Sequence, residues 1–269
     1  MIIATKRGCH DVVDRGEGTL LVLVHGFPFA ADSWSDDVDA LAPRMRVVTP
    51  SLRGFGGTPP SEMDALSIDA MADDVAAVLD ALGVTSPVVL GGLSMGGYVA
   101  LAFARRHPQR LRALVLADTR AEPDSDEARS NRDRAIARIE AGDFPGFVAD
   151  LLPAILAPTT RAERPDVVQR VREMAMRAEP SSVIATLRAL RDRPDARPGL
   201  ASIAVPVQVI VGADDTLTPV AAARAMADAI PAGRASVHVV PRAGHLANLE
   251  EPEAFRETVA SFVARVSAP

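Results

Sequence analysis

A serine lies at the centre of a Gly-x-Ser-x-Gly pattern, Gly92-Leu-Ser94-Met-Gly96, between a strand pattern and a helix pattern. A serine on such a strand-to-helix turn has a strained backbone and exposes its hydroxyl at the carboxyl edge of a sheet. Glycines two residues away on each side allow the close backbone approach that this turn needs. The amides that begin the following helix point at any oxyanion formed there. The pattern therefore predicts that Ser94 is a nucleophile.

A serine hydroxyl is a weak nucleophile, so it needs a base that a third group holds in place. The chain has five histidines, and His245 lies in the loop sequence Ala-Gly-His-Leu at 243–246. We predict that His245 is the base. The other four lie at a strand end, at a helix end or in strand patterns without a partner motif, and are interpreted as structural: His10, His25, His107 and His238. Among them, His107 is expected to cap the carbonyls of a helix end.

Two aspartates compete to orient this base. Asp215 lies in the segment Gly212–Pro219, after a buried strand pattern and before a helix that we expect Thr218 to cap, with a proline in its first turn. Asp118 follows the end of another strand pattern and is the alternative acid. The order serine, acid, histidine along the chain is the order expected on a doubly wound hydrolase sheet. This order favours Asp215.

A turn after an earlier strand provides the remaining group. In His25-Gly-Phe27-Pro28, the glycine frees the backbone to turn, so that a main-chain N–H faces the nucleophile. The amides of Phe27 and Met95 are predicted to form an oxyanion hole. Taken alone, the motif is an ordinary strand-end turn, and its interpretation depends on the presence of Ser94.

These residues require a sheet and helices to position them. Short runs rich in Val and Leu indicate strands buried on both faces, at Leu20–Val24, Arg46–Pro50, Pro87–Leu90, Leu111–Leu116, Val205–Val211 and Ser236–Val240. The clearest helical pattern runs from Ile68 to Leu82, with Ser67 as its N-cap and Gly83 at its end. This alternation predicts βαβ units with helices on both faces of the sheet. Residues Ile2–Ala4 and His10–Val13 are expected to be edge strands.

The segment from Thr119 to Ile203 has a different character. It is rich in Arg, Asp, Glu and Pro, contains no convincing strand, and repeats apolar residues at helical spacing. We predict a core of residues 1–118 and 204–269, interrupted by a helical cap of residues 119–203. The predicted pocket residues under this cap are Phe29, Phe147, Leu151 and Leu152. The cap arginines would suit a carboxylate-bearing lactone, although arginine is common throughout the chain.

Together, these motifs resemble those of the α/β-hydrolase superfamily, in the branch that holds small bacterial esterases, 3-oxoadipate enol-lactonase-like enzymes, and cofactor-free haloperoxidases or perhydrolases. Five stretches carry the resemblance: His25–Pro28, Leu52–Gly56, Gly92–Gly97, Gly212–Pro219 and Gly244-His245. The resemblance implies an α/β fold with a doubly wound, mostly parallel eight-stranded sheet and an inserted helical cap. It also implies Ser94 as nucleophile, Asp215 as acid, His245 as base, and Phe27 and Met95 as oxyanion donors. Ser51 departs from the family pattern, which commonly has an acid before the Leu-Arg-Gly turn, and loosened local pairing is expected there.

The activity that the resemblance implies is hydrolysis of a small carboxylic ester or lactone through an acyl-enzyme on Ser94. Two other reactions on the same three residues stay open, namely hydrolysis of a carbon–carbon bond and a cofactor-free perhydrolase or haloperoxidase reaction. A non-catalytic ligand-binding module is a further alternative, but such a module would not need an intact set of nucleophile, acid and base.

Composition excludes several other classes. The formal net charge is −6, which argues against nucleic acid or a membrane surface as partner, since both bind clustered positive charge. The single cysteine, Cys9, excludes an internal disulfide and a multi-cysteine metal site. We expect no metal and no cofactor, because no His-x-His pair, acidic ligand cluster or dinucleotide fingerprint is present. No targeting segment is visible, so a cytoplasmic protein with a small-molecule substrate is expected, with its oligomeric state left open.

Overall fold

A computed structural model describes residues 1–60 and 66–268 of the chain. The described residues form a sheet of eight strands: β1 Ile2–Thr5, β2 Gly8–Arg15, β3 Leu20–Val24, β4 Arg46–Pro50, β5 Val88–Leu93, β6 Leu111–Ala117, β7 Val207–Gly212 and β8 Ala235–Val240. Their order across the sheet is β1-β2-β4-β3-β5-β6-β7-β8. Strands β3 to β8 are parallel, whereas β1 and β2 pair in antiparallel fashion. The predicted fold class, a doubly wound and mostly parallel eight-stranded sheet, is confirmed.

Twelve α-helices accompany the sheet within the described ranges: α1 Ser35–Leu41, α2 Ile68–Ala81, α3 Met95–Arg106, α4 Asp126–Glu140, α5 Phe144–Ile155, α6 Pro158–Glu163, α7 Pro165–Met176, α8 Pro180–Arg191, α9 Arg197–Leu200, α10 Val220–Asp228, α11 Ala247–Glu250 and α12 Pro252–Ser267. The ends of α2 are as predicted. The Ser67 hydroxyl accepts a hydrogen bond of 3.1 Å from the Ala70 amide, and Gly83 follows with a φ of +69°.

The strands consist of Val and Leu runs because both faces of the sheet are covered. All six residues of β5 and β7 are buried, and Leu21, Leu90 and Leu114 have no exposed surface. Burying such side chains contributes about 1.5–3 kcal/mol each relative to leaving them in water. The chain leaves β3 towards β4 and then returns to the other side of β3 to form β5. The carboxyl ends of β3 and β5 therefore lie at a topological switch point, where ligands bind in open α/β sheets.

Two sequence predictions about strands need correction. Strand β2 lies between β1 and β4, so it is not an edge strand, whereas β1 is one. Strand β5 continues three residues beyond the predicted Leu90, because Gly91 and Gly92 pair with the last residues of β3 instead of starting the turn. As a result, the turn contains Ser94 alone, and α3 begins immediately after it at Met95.

Helices α4 to α9 follow one another between β6 and β7, and we call them the inserted helices. The helical character predicted for residues 119–203 is thus observed, while their division from the core as a separate cap stays a prediction. The long uncharged stretch from Ala81 to Ala104 contains β5 and most of α3. Within the described ranges, no helix has both the length and the apolar character needed to span a membrane.

The loop that contains Ser51 is well paired, contrary to the expected loosening. The Ser51 hydroxyl accepts a hydrogen bond of 3.1 Å from the Ala31 amide, and the Ser51 carbonyl accepts one of 2.8 Å from the Thr58 hydroxyl. The Asp11 carboxylate, from β2, accepts hydrogen bonds from the Gly57 amide and from Ser51 itself. The carboxylate of Asp11, from a neighbouring strand, therefore lies beside Ser51, the position at which the family pattern commonly has an acid.

Candidate active site

Ser94 lies between β5 and α3 with φ +53° and ψ −110°, a left-handed conformation that is strained for a residue with a side chain. The flanking glycines are required by packing. A Cβ on Gly92 would lie 2.0 Å from the Gly96 carbonyl oxygen, and a Cβ on Gly96 would lie 2.1 Å from the Val24 carbonyl oxygen. The strain and the close approach together turn the serine hydroxyl out at the carboxyl edge of the sheet.

Three predicted side chains are brought into contact at this edge. The Nε2 atom of His245 is 2.7 Å from the Ser94 hydroxyl, and its Nδ1 atom is 2.8 Å from the Asp215 carboxylate. An ionised carboxylate has no proton to donate and can only accept hydrogen bonds. The imidazole proton therefore lies on Nδ1, facing Asp215, and Nε2 is free to accept the serine proton. The imidazole is 5% exposed, so this chain of contacts is almost sealed from water.

The Asp215 carboxylate is fixed by its own loop. One oxygen accepts the amides of Leu217 and Thr218 at 2.8 and 2.9 Å, and the other accepts the Thr218 hydroxyl at 2.5 Å. The expectation that Thr218 caps the next helix is wrong, since the N-cap of α10 is Pro219 and no side chain caps it. The threonine hydroxyl instead donates to the buried Asp215 carboxylate, for which a lost hydrogen bond costs more than it does for helix-end amides open to water. Nothing in the sequence pattern predicts this contact.

Asp215 and His245 favour their charged forms together. Burial raises the pKa of Asp215, but the charge of His245 and the hydrogen bonds outweigh burial and hold that pKa below its usual value. Burial lowers the pKa of His245, but the charge and hydrogen bond of Asp215 outweigh it and raise that pKa above 6.5. An imidazolium formed when His245 takes a proton is therefore stabilised in place.

Asp118, the alternative acid, does not hydrogen-bond to His245 in the described chain. It follows β6 with φ +43°, and its carboxylate accepts the Gly212 amide at 2.8 Å and the Ala247 amide at 3.2 Å. Complete burial, followed by the charge of Asp215, raises the pKa of Asp118 to about 7. Asp118 thus joins the end of β7 to α11, whereas Asp215 is the carboxylate in contact with His245.

The two predicted oxyanion donors lie beside Ser94. The amides of Phe27 and Met95 donate no hydrogen bond to any other described residue, and both residues line the same cavity as Ser94. The turn that presents Phe27 is fixed by His25, whose Nδ1 donates to the Gly26 carbonyl and whose Nε2 accepts the Leu52 amide, both at 2.9 Å. Burial lowers the pKa of His25 to about 4, so this histidine stays neutral and structural, as expected.

A cavity of about 300 Å³ lies over Ser94 between the sheet edge and the inserted helices. Of the predicted pocket residues, Phe147 and Leu151 line it, whereas Phe29 and Leu152 do not. Phe29 is buried in the core, and Leu152 lies on the buried face of α5 that also carries Val148. Four polar lining residues were not assigned from the sequence: Arg120, Asp124, Asn131 and Arg132. In the part of the chain that the structure describes, no three His, Cys, Asp or Glu residues cluster as they would to hold a metal ion.

Sequence reasoning also missed Glu250, at the end of α11. One of its carboxylate oxygens accepts the amides of Gly244 and Leu246 at 2.9 and 3.2 Å. The other accepts the Ala157 amide at 2.7 Å and the Thr160 hydroxyl at 2.6 Å. A buried glutamate cannot be distinguished from a surface one by residue type, so its position between α11 and the inserted helices was visible only in three dimensions.

The helix-end histidine caps α3 through its backbone, and its side chain makes a contact that was not expected. The Nε2 atom of His107 lies 2.9 Å from the Asp73 carboxylate on α2, and its ring packs against Phe103. His107 is also the C-cap residue of α3, because its backbone amide donates to the Phe103 carbonyl at 2.7 Å, while its side chain is drawn to the acid that the neighbouring α2 presents. His10 and His238 lie in β2 and β8, away from the cavity.

Comparisons with known proteins agree with this geometry. The family model described as alpha/beta hydrolase fold matches residues 19–252. A pimeloyl-acyl-carrier protein methyl ester esterase from Aeromonas hydrophila is 31% identical over 255 residues, which are 92% of this chain and 96% of that protein. A solved thermophilic esterase from Thermogutta terrifontis is 36% identical with a TM-score of 0.92, over 100% of this chain and 99% of that one. The enol-lactonase from Burkholderia xenovorans LB400 is 25% identical with a TM-score of 0.89, over 98% of this chain and 100% of that one.

Proposed function

Because the chain belongs to the alpha/beta hydrolase fold family and is a hydrolase that acts on ester bonds, we propose that it cleaves a small carboxylic ester or lactone through an acyl-enzyme on Ser94. The observation that carries this proposal is the pair of contacts on one imidazole, at 2.7 Å to the Ser94 hydroxyl and 2.8 Å to the Asp215 carboxylate. A nucleophile, a base and an orienting acid in hydrogen-bond reach form the arrangement that activates a serine.

In the first half of the proposed reaction, Nε2 of His245 takes the Ser94 proton as the serine oxygen attacks the substrate carbonyl. The amides of Phe27 and Met95 hold the oxyanion of the tetrahedral intermediate, a contribution of about 3–4 kcal/mol for each such donor. The carbon–oxygen bond to the leaving group then breaks, and the imidazolium returns its proton to the departing oxygen. Asp215 holds the imidazole in the required tautomer throughout.

In the second half, water attacks the acyl-enzyme with His245 again as base. The serine oxygen leaves with the proton from the imidazolium, and the carboxylic acid product is released. A lactone gives a hydroxy acid by the same steps, because its leaving oxygen is part of the acyl chain.

Residues 119–203 are proposed to form a cap that limits substrate size. The cavity volume of about 300 Å³ is at the lower end of ligand pockets and suits a small substrate. Helices α4, α5 and α8 contribute Ala135, Phe147, Leu151, Leu187 and Leu190 to its wall. Cap residues would therefore determine the acyl group or leaving group that fits, while the core residues do the chemistry.

Labelling with a fluorophosphonate probe tests this proposal directly. We expect mass to be added at Ser94, and we expect Ser94→Ala to lose both labelling and p-nitrophenyl acetate turnover. Ser202→Ala, on an exposed serine, is the matched control and keeps both. Failure to label Ser94, or unchanged turnover in Ser94→Ala, would contradict the proposal.

A panel of short esters, short lactones, a carbon–carbon ring-fission substrate, and peroxide with acetate separates the reactions that the same three residues support. Ester or lactone hydrolysis as the fastest reaction supports the proposal. Faster carbon–carbon cleavage or peracid formation would assign the site to one of those reactions instead.

A further inference from the structure

Beside one wall of the cavity over Ser94, three arginines surround a single aspartate. Nη1 of Arg193 is 2.5 Å from one oxygen of Asp124, and Nη2 of Arg120 is 3.3 Å from the same oxygen. Nε of Arg132 donates to the other oxygen. We call these four residues the arginine cluster. Arg120, Asp124 and Arg132 line the cavity, whereas Arg193 does not.

The arginine cluster carries more positive than negative charge. Burial raises the pKa of Asp124, but the hydrogen bond and charge of Arg132, together with the charge of Arg193, hold it below its usual value, so the aspartate is ionised. Among the described residues, Asp124 is the one carboxylate that forms an ion pair with any of the three arginines. Two positive charges are therefore left without a counter-charge beside a largely apolar cavity. Leaving charge unbalanced in such a place is costly, and an anion that enters the cavity offsets the cost.

The three arginines differ in their exposure and in how many hydrogen bonds hold their side chains. Arg193 is held by its environment, because it also donates to the carbonyls of Leu190 and Glu122 and lies 4.3 Å above the Tyr98 ring. Its side chain is 3% exposed, whereas those of Arg120 and Arg132 are 28% and 20% exposed. Nε of Arg120 has no hydrogen-bond partner although it is buried. Arg193 thus anchors Asp124, and Asp124 in turn positions two guanidinium groups that retain free donors.

We propose that Arg120 and Arg132 form a subsite for a carboxylate of the substrate, so that the preferred substrate is a small ester or lactone with a free carboxylate away from the scissile bond. This inference rests on the proposed function, because the subsite shares its cavity with Ser94. Guanidinium groups match the planar geometry of a carboxylate and bind it through paired N–H donors. The apolar wall formed by Phe147 and Leu151 covers the carbon chain between the carboxylate and the ester.

Binding tests the subsite without requiring turnover. Monomethyl glutarate and methyl pentanoate have the same methyl ester and the same chain length, but only the first has a carboxylate. With the Ser94→Ala variant in titration calorimetry, we expect monomethyl glutarate to bind at least about tenfold more tightly, as for a typical charge-assisted contact. Equal affinity for the two esters would overturn the proposal, whether or not Ser94 is the nucleophile.

Substitutions then locate the effect. In the same Ser94→Ala background, Arg120→Gln or Arg132→Gln is expected to bring the affinity ratio of the two esters close to one, and Arg120→Lys to keep part of the preference. Arg129→Gln, on an exposed residue of the same helix as Arg132, is the matched control and keeps the full ratio. Circular dichroism confirms that each variant is folded. A full preference in folded Arg120→Gln and Arg132→Gln proteins would overturn the assignment.

Turnover separates a failure of the subsite from a failure of the proposed function. The protein with Ser94 intact is expected to hydrolyse monomethyl glutarate with a kcat/KM at least about tenfold above that for methyl pentanoate. If both esters are hydrolysed equally, the carboxylate subsite is wrong and the esterase proposal stands. If neither is hydrolysed while the binding preference persists, the subsite stands and the proposed reaction is wrong.

Discussion

The Glu250 carboxylate accepts a hydrogen bond of 2.7 Å from the backbone amide of Ala157, which joins α11 to the start of α6. Its other oxygen accepts the amide of Gly244, the residue before the proposed base. A second link runs beside it, since the His245 amide donates to the Ile155 carbonyl at the end of α5 at 3.0 Å. The histidine loop is therefore positioned by the inserted helices as well as by the sheet.

Glu250→Gln is expected to weaken this junction. An amide has one acceptor oxygen and directs an NH₂ group at donors, so some of the four donors around Glu250 lose their partner. Each buried donor left unpaired costs about 1–3 kcal/mol, so we expect a clearly lower melting temperature and a kcat that falls more than KM rises. Thermal unfolding and steady-state kinetics measure the two effects. Glu251→Gln, at the neighbouring and more exposed carboxylate, is the control, and equal behaviour of both variants would contradict the prediction.

The pH dependence of kcat/KM should report the His245–Asp215 pair. The base must be neutral to take the serine proton, so activity is expected to fall as the pH drops through the pKa of His245. Because Asp215 raises that pKa, the midpoint of the acid limb is expected above 6.5. Asp215→Asn removes the raising charge and leaves burial, so the limb is expected to move to lower pH while kcat falls by roughly 10⁴.

The matched control for this profile is Asp214→Asn, because Asp214 is the exposed neighbour of the buried acid. It is expected to keep both the rate and the position of the acid limb. An acid limb that stays in place in Asp215→Asn would mean that another group, and not His245, governs it.

Thr218→Val is expected to weaken the acid without removing it. The change is close to isosteric and deletes the hydroxyl that donates to Asp215 at 2.5 Å, while the two backbone amides remain. A hydrogen bond to a charged group is worth about 1.5–3 kcal/mol, so a loss of about tenfold in kcat is expected. Steady-state rates of Thr218→Val and of the exposed control Thr216→Val measure it. Equal rates in the two variants would show that the hydroxyl has no part in holding the carboxylate.

The sequence predicts the elements and the three central residues because their signals are local. Ser94 has a glycine pattern between a strand and a helix, and the buried runs around it are long enough to identify. The sequence could not show that Leu151 lines the cavity and Leu152 does not. One face of α5 is buried and carries Leu152, the adjacent face lines the cavity and carries Leu151, and both faces are apolar. Thr218 and Glu250 were missed because their partners are set by tertiary contacts that neither residue type nor spacing reveals.

Asp118→Asn is expected to change how stability depends on pH. Burial and the nearby Asp215 raise the pKa of Asp118 in the folded chain to about 7, against about 3.9 in an unfolded chain. Between these values the folded state binds a proton that the unfolded state does not, so this group's contribution to stability is lost as the pH rises from about 4 to about 7. Asparagine removes that contribution, keeps one acceptor for the Gly212 amide, and suits the positive φ at this position.

The advantage of the wild-type chain over Asp118→Asn in free energy of unfolding is therefore expected to be larger at pH 5 than at pH 8. The expected difference is roughly 3 kcal/mol, since the change spans about two pH units above pH 5 and one unit corresponds to about 1.4 kcal/mol. Urea unfolding of both proteins at a series of pH values measures it. The change should lie below pH 7 and level off above it, because Asp118 is then ionised in both states. An advantage that stays constant from pH 5 to pH 8 would mean that Asp118 titrates alike in the folded and unfolded chains, and that its two backbone donors and local solvation fully compensate its burial beside Asp215.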